Sequence, residues 1–224
     1  NRFPNLPYIA ISNSYRRQCP AHIAFLDTIY HGVDTKTLAY NSRGGDAFVW
    51  IGRVSQAKGI HIAVQIARQL GLKLLIAGAI VNPEAHAFFQ QSIKPHLSRR
   101  IQYVGNLSSE NEKARFFGEA KAFLYPLQWE EPFGITMIES QSCGTPVIAF
   151  RRGSVPEIVQ HKKTGFVVAS IAEFKRAIKN VDSIERKNCR SWVEQGFTIE
   201  KMAERYEAAY RSVISTWPRI SPHL

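Results

Sequence analysis

Two glutamates, Glu131 and Glu139, stand eight positions apart in the segment Trp129-Glu130-Glu131-Pro132-Phe133-Gly134-Ile135-Thr136-Met137-Ile138-Glu139. A carboxylate only accepts hydrogen bonds and can bridge two adjacent hydroxyls. Held either side of a helix start, the pair can grip two diols, such as those of a hexose and a ribose. Between them, Phe133-Gly134 permits close backbone approach, and the helix opening at Ile135 aims its first amides at an anion such as a phosphate. A second segment, Gly52-Arg53-Val54-Ser55-Gln56-Ala57-Lys58-Gly59, puts an arginine and a lysine between a strand and a helix. Two cations and helix amides there form an electropositive pocket suited to a diphosphate. Each segment taken alone has a plainer reading: a solvated acidic loop with a helix-surface glutamate, and two exposed loop cations. Neither is a Walker loop or a GxGxxG fingerprint, so the ATPase and dehydrogenase readings lose their main support.

The elements that must position these residues are legible as periodicity. Apolar runs predict strands over 48–51, 74–77, 101–104, 123–125, 146–150 and 166–168. The first four end at Gly52, Gly78, Gly105 and Pro126. Helical spacing runs from Ile60 to Leu70, closed by Gly71. Asn82-Pro83-Glu84 opens a helix to about Ile93, and Ser109 with Glu112 forms a capping box. A short helix spans 135–142, and helices fill most of 171–214. Near-continuously apolar strands alternating with helices predict an α/β, Rossmann-like, doubly wound parallel sheet. Such sheets bind ligands at the carboxyl ends of their strands, where both chemical segments lie. Residues 8–12 and 23–30 read instead as strand-like pieces with no helix between them, and 42–45 as a linker or surface turn.

Composition bounds the function. The chain has 224 residues, 45% hydrophobic and 21% charged, which excludes a disordered chain, a collagen-like repeat and a disulfide miniprotein. No apolar run reaches the roughly 20 residues of a membrane-spanning helix. Lys and Arg number 29 against 18 Asp and Glu, a net +11 that favours acidic partners: nucleic acid, anionic lipid or phosphorylated small molecules. No helix-turn-helix, RNP-like aromatic pair or zinc finger supports a specific nucleic-acid partner. Three cysteines without a CxxC spacing suggest free thiols in a reducing, cytoplasmic setting, and no His/Cys cluster suggests a metal.

Together the two segments resemble the group 1 (family 4) glycosyltransferases, retaining enzymes of the GT-B fold. The family's E-x7-E motif corresponds to Glu131 and Glu139, inside E-P-F-G-I-T-M-I-E-S-Q-S-C-G-T-P-V-I-A. Its Gly-Arg and Lys-Gly segment corresponds to Arg53 and Lys58, its N-G-V-D to His31-Gly32-Val33-Asp34, and its G-x-P-E-x-V to the stretch from Ser154 to Val159. The resemblance covers about residues 8 to 215. It implies that Glu131 binds hydroxyls of the donor sugar and Glu139 the ribose. It also implies that Phe133, Gly134 and Ile135 offer backbone contacts to sugar and phosphates, beside Gly52. Arg53 and Lys58 would hold the diphosphate and stabilise its charge as it leaves. The base would lie near Val104, Gly105 and Leu107. The implied donor is a nucleotide-diphosphate sugar, with no metal and no other cofactor. The implied acceptor is a glycan, lipid-linked or small molecule.

The resemblance also implies an acceptor domain N-terminal to this one. Residues 1–33 then read as its tail, 34–198 as the nucleotide-sugar-binding domain and 199–224 as a cross-over helix and tail. Such a chain alone should bind donor nucleotide but transfer sugar poorly or not at all. The basic pairs fit peripheral contact at the inner face of a membrane. His31 departs from the family's Asn and reads as a structural loop residue, and the apolar face of the last helix reads as partly exposed. The rival readings are a basic non-enzymatic module binding nucleotide, nucleic acid or a membrane surface, and a GT-B sugar-nucleotide epimerase.

Overall fold

The computed structural model describes residues 6–216; the expectations for 1–5 and 217–224, Trp217 and His223 included, fall outside the described residues. Six strands form one sheet: β3 (Ala47–Ile51), β4 (Leu74–Ala77), β5 (Ile101–Tyr103), β6 (Ala120–Tyr125), β7 (Val147–Phe150) and β8 (Gly165–Val168). Their order is β5-β4-β3-β6-β7-β8, and every neighbouring pair is parallel. All strand carboxyl ends therefore share one edge and all amino ends the other.

Period-two alternation sends the strand side chains to two cores. Phe48 and Trp50 face one, with Ile60 to Ala67 of α2 (Ile60–Leu70), Phe89 of α3 (Pro83–Ser92) and Phe174 of α7 (Ile171–Lys179). Val49 and Ile51 face the other. That core is completed by Phe117 of α4 (Glu110–Gly118), Met137 and Ile138 of α5 (Ile135–Ser142), Val155 of α6 (Val155–Ile158) and Val193 of α8 (Arg186–Gly196). Burying both faces explains why these strands read as unbroken apolar runs. This is the expected Rossmann-like α/β sheet.

The amino-terminal segment differs from expectation. Strands β1 (Tyr8–Ala10) and β2 (Phe25–Thr28) pair in parallel, with helix α1 (Asn13–Gln18) between them. Parallel neighbours need a crossover, and α1 is part of it. Its start is held both locally and from afar: N-cap Ser12 Oγ accepts from the Tyr15 amide at 2.9 Å, and the distant Glu157 carboxylate accepts from the Asn13 and Ser14 amides at 2.8 and 2.6 Å. The closing helix, α9 (Ile199–Thr216), buries Ala209, half-buries Met202, Tyr206 and Val213 and leaves Tyr210 exposed, a partly exposed apolar face as its sequence suggested; Ile214 is exposed too.

At the carboxyl edge the chain turns with little room. Gly78 sits at φ +145°, and a Cβ there would lie 1.8 Å from the Gly52 carbonyl oxygen. Its amide donates to the Gly105 carbonyl at 2.8 Å, so the backbone cannot shift away freely. A Gly78→Ala variant is expected to lose roughly 2–4 kcal/mol, from backbone strain plus overpacking. Urea denaturation checks it: the midpoint should fall while the m-value stays constant.

Candidate active site

Two loops at the carboxyl edge bring the charged residues together. The loop after β3 carries Arg53 and Lys58, and the loop after β6 carries Glu131. The Lys58 ammonium lies 2.5 Å from Glu131 Oε2. The same oxygen accepts from the Tyr125 hydroxyl at 2.8 Å and the Trp129 indole N–H at 3.1 Å. Lys58 also lies 4.7 Å from the Trp129 ring centroid, a cation–π contact. Burial and the neighbouring Glu131 charge push the Tyr125 phenol well above its usual range, so it stays a donor. With three donors on Oε2, Glu131 Oε1 has no hydrogen-bond partner among the described residues. It is the acceptor left for a ligand.

The Glu131 loop is fastened on both sides. Its carbonyl accepts from the Ser154 amide at 2.9 Å, and the Glu130 carboxylate accepts from the Gly153 amide at 2.5 Å. Gly153 sits at φ +52°, where a Cβ would lie 2.2 Å from the Glu131 carbonyl oxygen. From the other side, Ser12 Oγ donates to the Pro132 carbonyl at 2.5 Å. Buried Phe133 is ringed by Tyr30, His31 and Phe197, with His31 edge-on at 4.9 Å. Gly134 then caps α5 in a left-handed conformation with no side-chain cap. The first amides of α5 are left for an anion.

Gly52, Arg53, Lys58, Glu131, Phe133, Gly134 and Ile135 border one cavity of about 410 Å³. Its volume suits a small ligand. His31, Tyr125 and Thr136 border it too. Arg53 is exposed at the rim, without an ion pair among the described residues, and it also borders a neighbouring hollow of about 420 Å³ with Val81, Asn82 and Glu84. The structure therefore gathers seven of the predicted site residues.

Four predicted residues lie outside that lining. Glu139 is on α5 at 5% exposure, its carboxylate 2.9 Å from Lys113, which also holds Glu110 at 2.6 Å. Burial pushes the Glu139 carboxyl up, and Lys113 pulls it partly back. Val104 is exposed, Gly105 turns the chain after β5, and Leu107 packs against the second core. Sequence reasoning missed the roles of Lys113, Tyr125 and Trp129. A hydroxyl at the end of an otherwise apolar strand was the available signal for Tyr125, whereas Lys113 had none. His31, read as a structural residue, packs on Phe133 and also borders the cavity. Burial lowers its pKa, which favours the neutral ring. Among the described residues there is no group of three His, Cys, Asp or Glu arranged to hold a metal, and no helix long and apolar enough to cross a membrane.

The family described as "Glycosyl transferases group 1" matches residues 41–198. N-acetyl-alpha-D-glucosaminyl L-malate synthase of Bacillus anthracis is 25% identical over 178 residues, covering 74% of this chain and 45% of its own. The chain spans about half the length of the curated relatives it matches. Among solved structures, sucrose-phosphate synthase of Thermosynechococcus elongatus superposes with TM-score 0.80 at 24% identity, covering 92% of this chain and 58% of its own. Anabaena HepE, solved with UDP and glucose, gives TM-score 0.76 at 18% identity, with 92% and 63% covered. The fold is that of the GT-B glycosyltransferases, and the chain belongs to the group 1 glycosyl transferases.

Proposed function

We propose that this chain is the donor-binding half of a retaining glycosyltransferase that takes a nucleotide-diphosphate sugar. The observation that carries this reading is the convergence of Arg53, Lys58, the uncapped start of α5 and the unpartnered Glu131 Oε1 on one cavity. A sugar hydroxyl donates to Glu131 Oε1. The diphosphate meets Arg53, Lys58 and the α5 amides, which neutralise charge as the bond from anomeric carbon to phosphate oxygen breaks. The acceptor oxygen bonds to that carbon on the same face, and its proton passes to the leaving phosphate. Two cations, Lys58 held by Glu131 and Arg53 at the rim, can supply the electrostatic stabilisation without a metal. Glu139 holds the ribose after exchanging its contact with Lys113. UDP in the structure of Anabaena HepE makes a uridine donor the first to try. The acceptor is a glycan, lipid-linked or small molecule engaged with a further domain. The free thiols Cys19, Cys143 and Cys189 support a reducing, cytoplasmic setting.

Titration calorimetry with UDP, GDP and ADP, and with the matching nucleotide-sugars, tests the reading. One nucleotide should bind, and Arg53→Ala should weaken it about 10- to 100-fold, the worth of a charge-assisted contact. Glu139→Ala should weaken the nucleoside as well. If the folded protein binds none of them at millimolar ligand, the reading fails.

A further inference from the structure

We propose that the edge of the sheet opposite the cavity is a docking surface for an anionic lipid bilayer. Because all six strands are parallel, the turns entering them share that edge. Arg43 precedes β3, Arg99 and Arg100 precede β5, and Lys162 and Lys163 precede β8; all five are exposed. The acids at this edge are already engaged: Asp46 with Lys73, Glu119 with Arg115, Asp182 with Lys121 and Glu185 with Lys187. Helix carboxyl ends also point here, and basic residues of their last turns, such as Arg68 of α2, answer them. Arg100 likewise donates to the Gly71 carbonyl at 3.1 Å. Arg43, Arg99, Lys162 and Lys163 have neither an acidic partner among the described residues nor a helix end to serve.

Lys162 adds an independent observation. It is the one non-glycine residue at positive φ among the described residues, at +64°. Glycine would hold that turn without the left-handed penalty. A lysine there costs stability and places a charge at the tip of the turn.

The shape of the row selects the partner. β5 and β8 are the outermost strands, so its ends lie about 24 Å apart, five spacings of roughly 4.8 Å. Among the described residues its cations lie on three separate turns, and the all-parallel sheet has no hairpin, so none of the five is carried on a helix or hairpin that could enter a nucleic-acid groove. Near its middle Tyr40, 40% exposed, borders a shallow cleft with Arg43. An amphipathic ring amid cations suits the headgroup level of a bilayer. Docked so, the molecule keeps the donor cavity open to solution.

The test is sedimentation of the full 224-residue chain with phosphatidylcholine vesicles, with and without phosphatidylglycerol, at physiological salt. Only the anionic vesicles should bind. The variant Arg43→Ser/Lys162→Gly/Lys163→Ser should lose about 100-fold, near fivefold per charge. It should keep its urea midpoint, since Lys162→Gly relieves the positive φ. A charge-matched variant away from this edge, Arg17→Ser/Arg151→Ser/Arg211→Ser, should stay within a few-fold of wild type. Equal losses in both variants would reduce the effect to net charge and overturn the proposal. So would absence of vesicle binding, or tighter binding to a DNA duplex at the same salt.

Discussion

An Arg186→Met variant is expected to lose about 3–5 kcal/mol of stability, because one guanidinium satisfies acceptors from four separate segments. Its Nε donates to the Asn41 carbonyl at 2.7 Å and Nη1 to the Ala120 carbonyl at 2.8 Å. Nη2 is shared among the Gly118 carbonyl, the Cys143 carbonyl and Thr145 Oγ1, at 3.0, 3.2 and 2.8 Å. These acceptors lie on the loop before β3, the end of α4, the start of β6 and the end of α5. Methionine fills much of the volume but takes the guanidinium away from every acceptor, the Cys143 carbonyl keeping the Asn41 amide at 3.1 Å. Arg186→Lys is expected to recover less than half the loss, since an ammonium cannot reproduce the planar fork. Urea denaturation reads both. A Met variant within about 1 kcal/mol of wild type would show that water replaces the guanidinium at no cost.

The second large effect is at Glu131. Glu131→Ala strips the Lys58 ammonium, at 15% side-chain exposure, of its anion and leaves the Tyr125 hydroxyl and Trp129 indole without an acceptor. Breaking a buried pair from one side costs about 3–5 kcal/mol, chiefly for the charge left behind. Glu131→Gln keeps an acceptor but not the charge and should fall between. Lys58→Met with Glu131→Gln removes both charges, and the double variant should be more stable than the sum of the single losses predicts. A coupling of about 2 kcal/mol in that cycle is expected. Additive losses would mean that the two groups do not sense one another. On the proposed function, Glu131→Ala should also abolish the extra affinity that a sugar adds to its nucleotide, which calorimetry on the same proteins measures.

What could be read from the sequence was what the chain decides locally. The helix start at Ser109 is an example: its hydroxyl and Glu112 satisfy one another's amides within four residues. The sheet was legible because burial on both faces leaves unbroken apolar runs. Helix α1 was not, because it has six residues and two of its first amides are held by Glu157, more than 140 positions away. The same distance effect hid part of the site. Glu131 and Lys58 were visible by type, but their pairing across 73 positions, with Tyr125 and Trp129 on the same oxygen, is tertiary. Glu139 was read as facing a ligand, and nothing near it in sequence announced Lys113.

Three glycines end three adjacent strands. Gly52, Gly78 and Gly105 follow β3, β4 and β5, with the Gly78 amide bonded to the Gly105 carbonyl at 2.8 Å and its Cα against Gly52. The ground there is bare main chain. Main-chain groups are the same whatever the codon, so at Gly78, where a Cβ would meet the Gly52 carbonyl, mutation has little to adjust short of damaging the fold. Side chains on the surrounding rim, such as Arg53, Val81 and Asn82, are free to vary. On the proposed function, substitutions on the rim would therefore alter what is recognised while leaving the main-chain floor at Gly78 as it is.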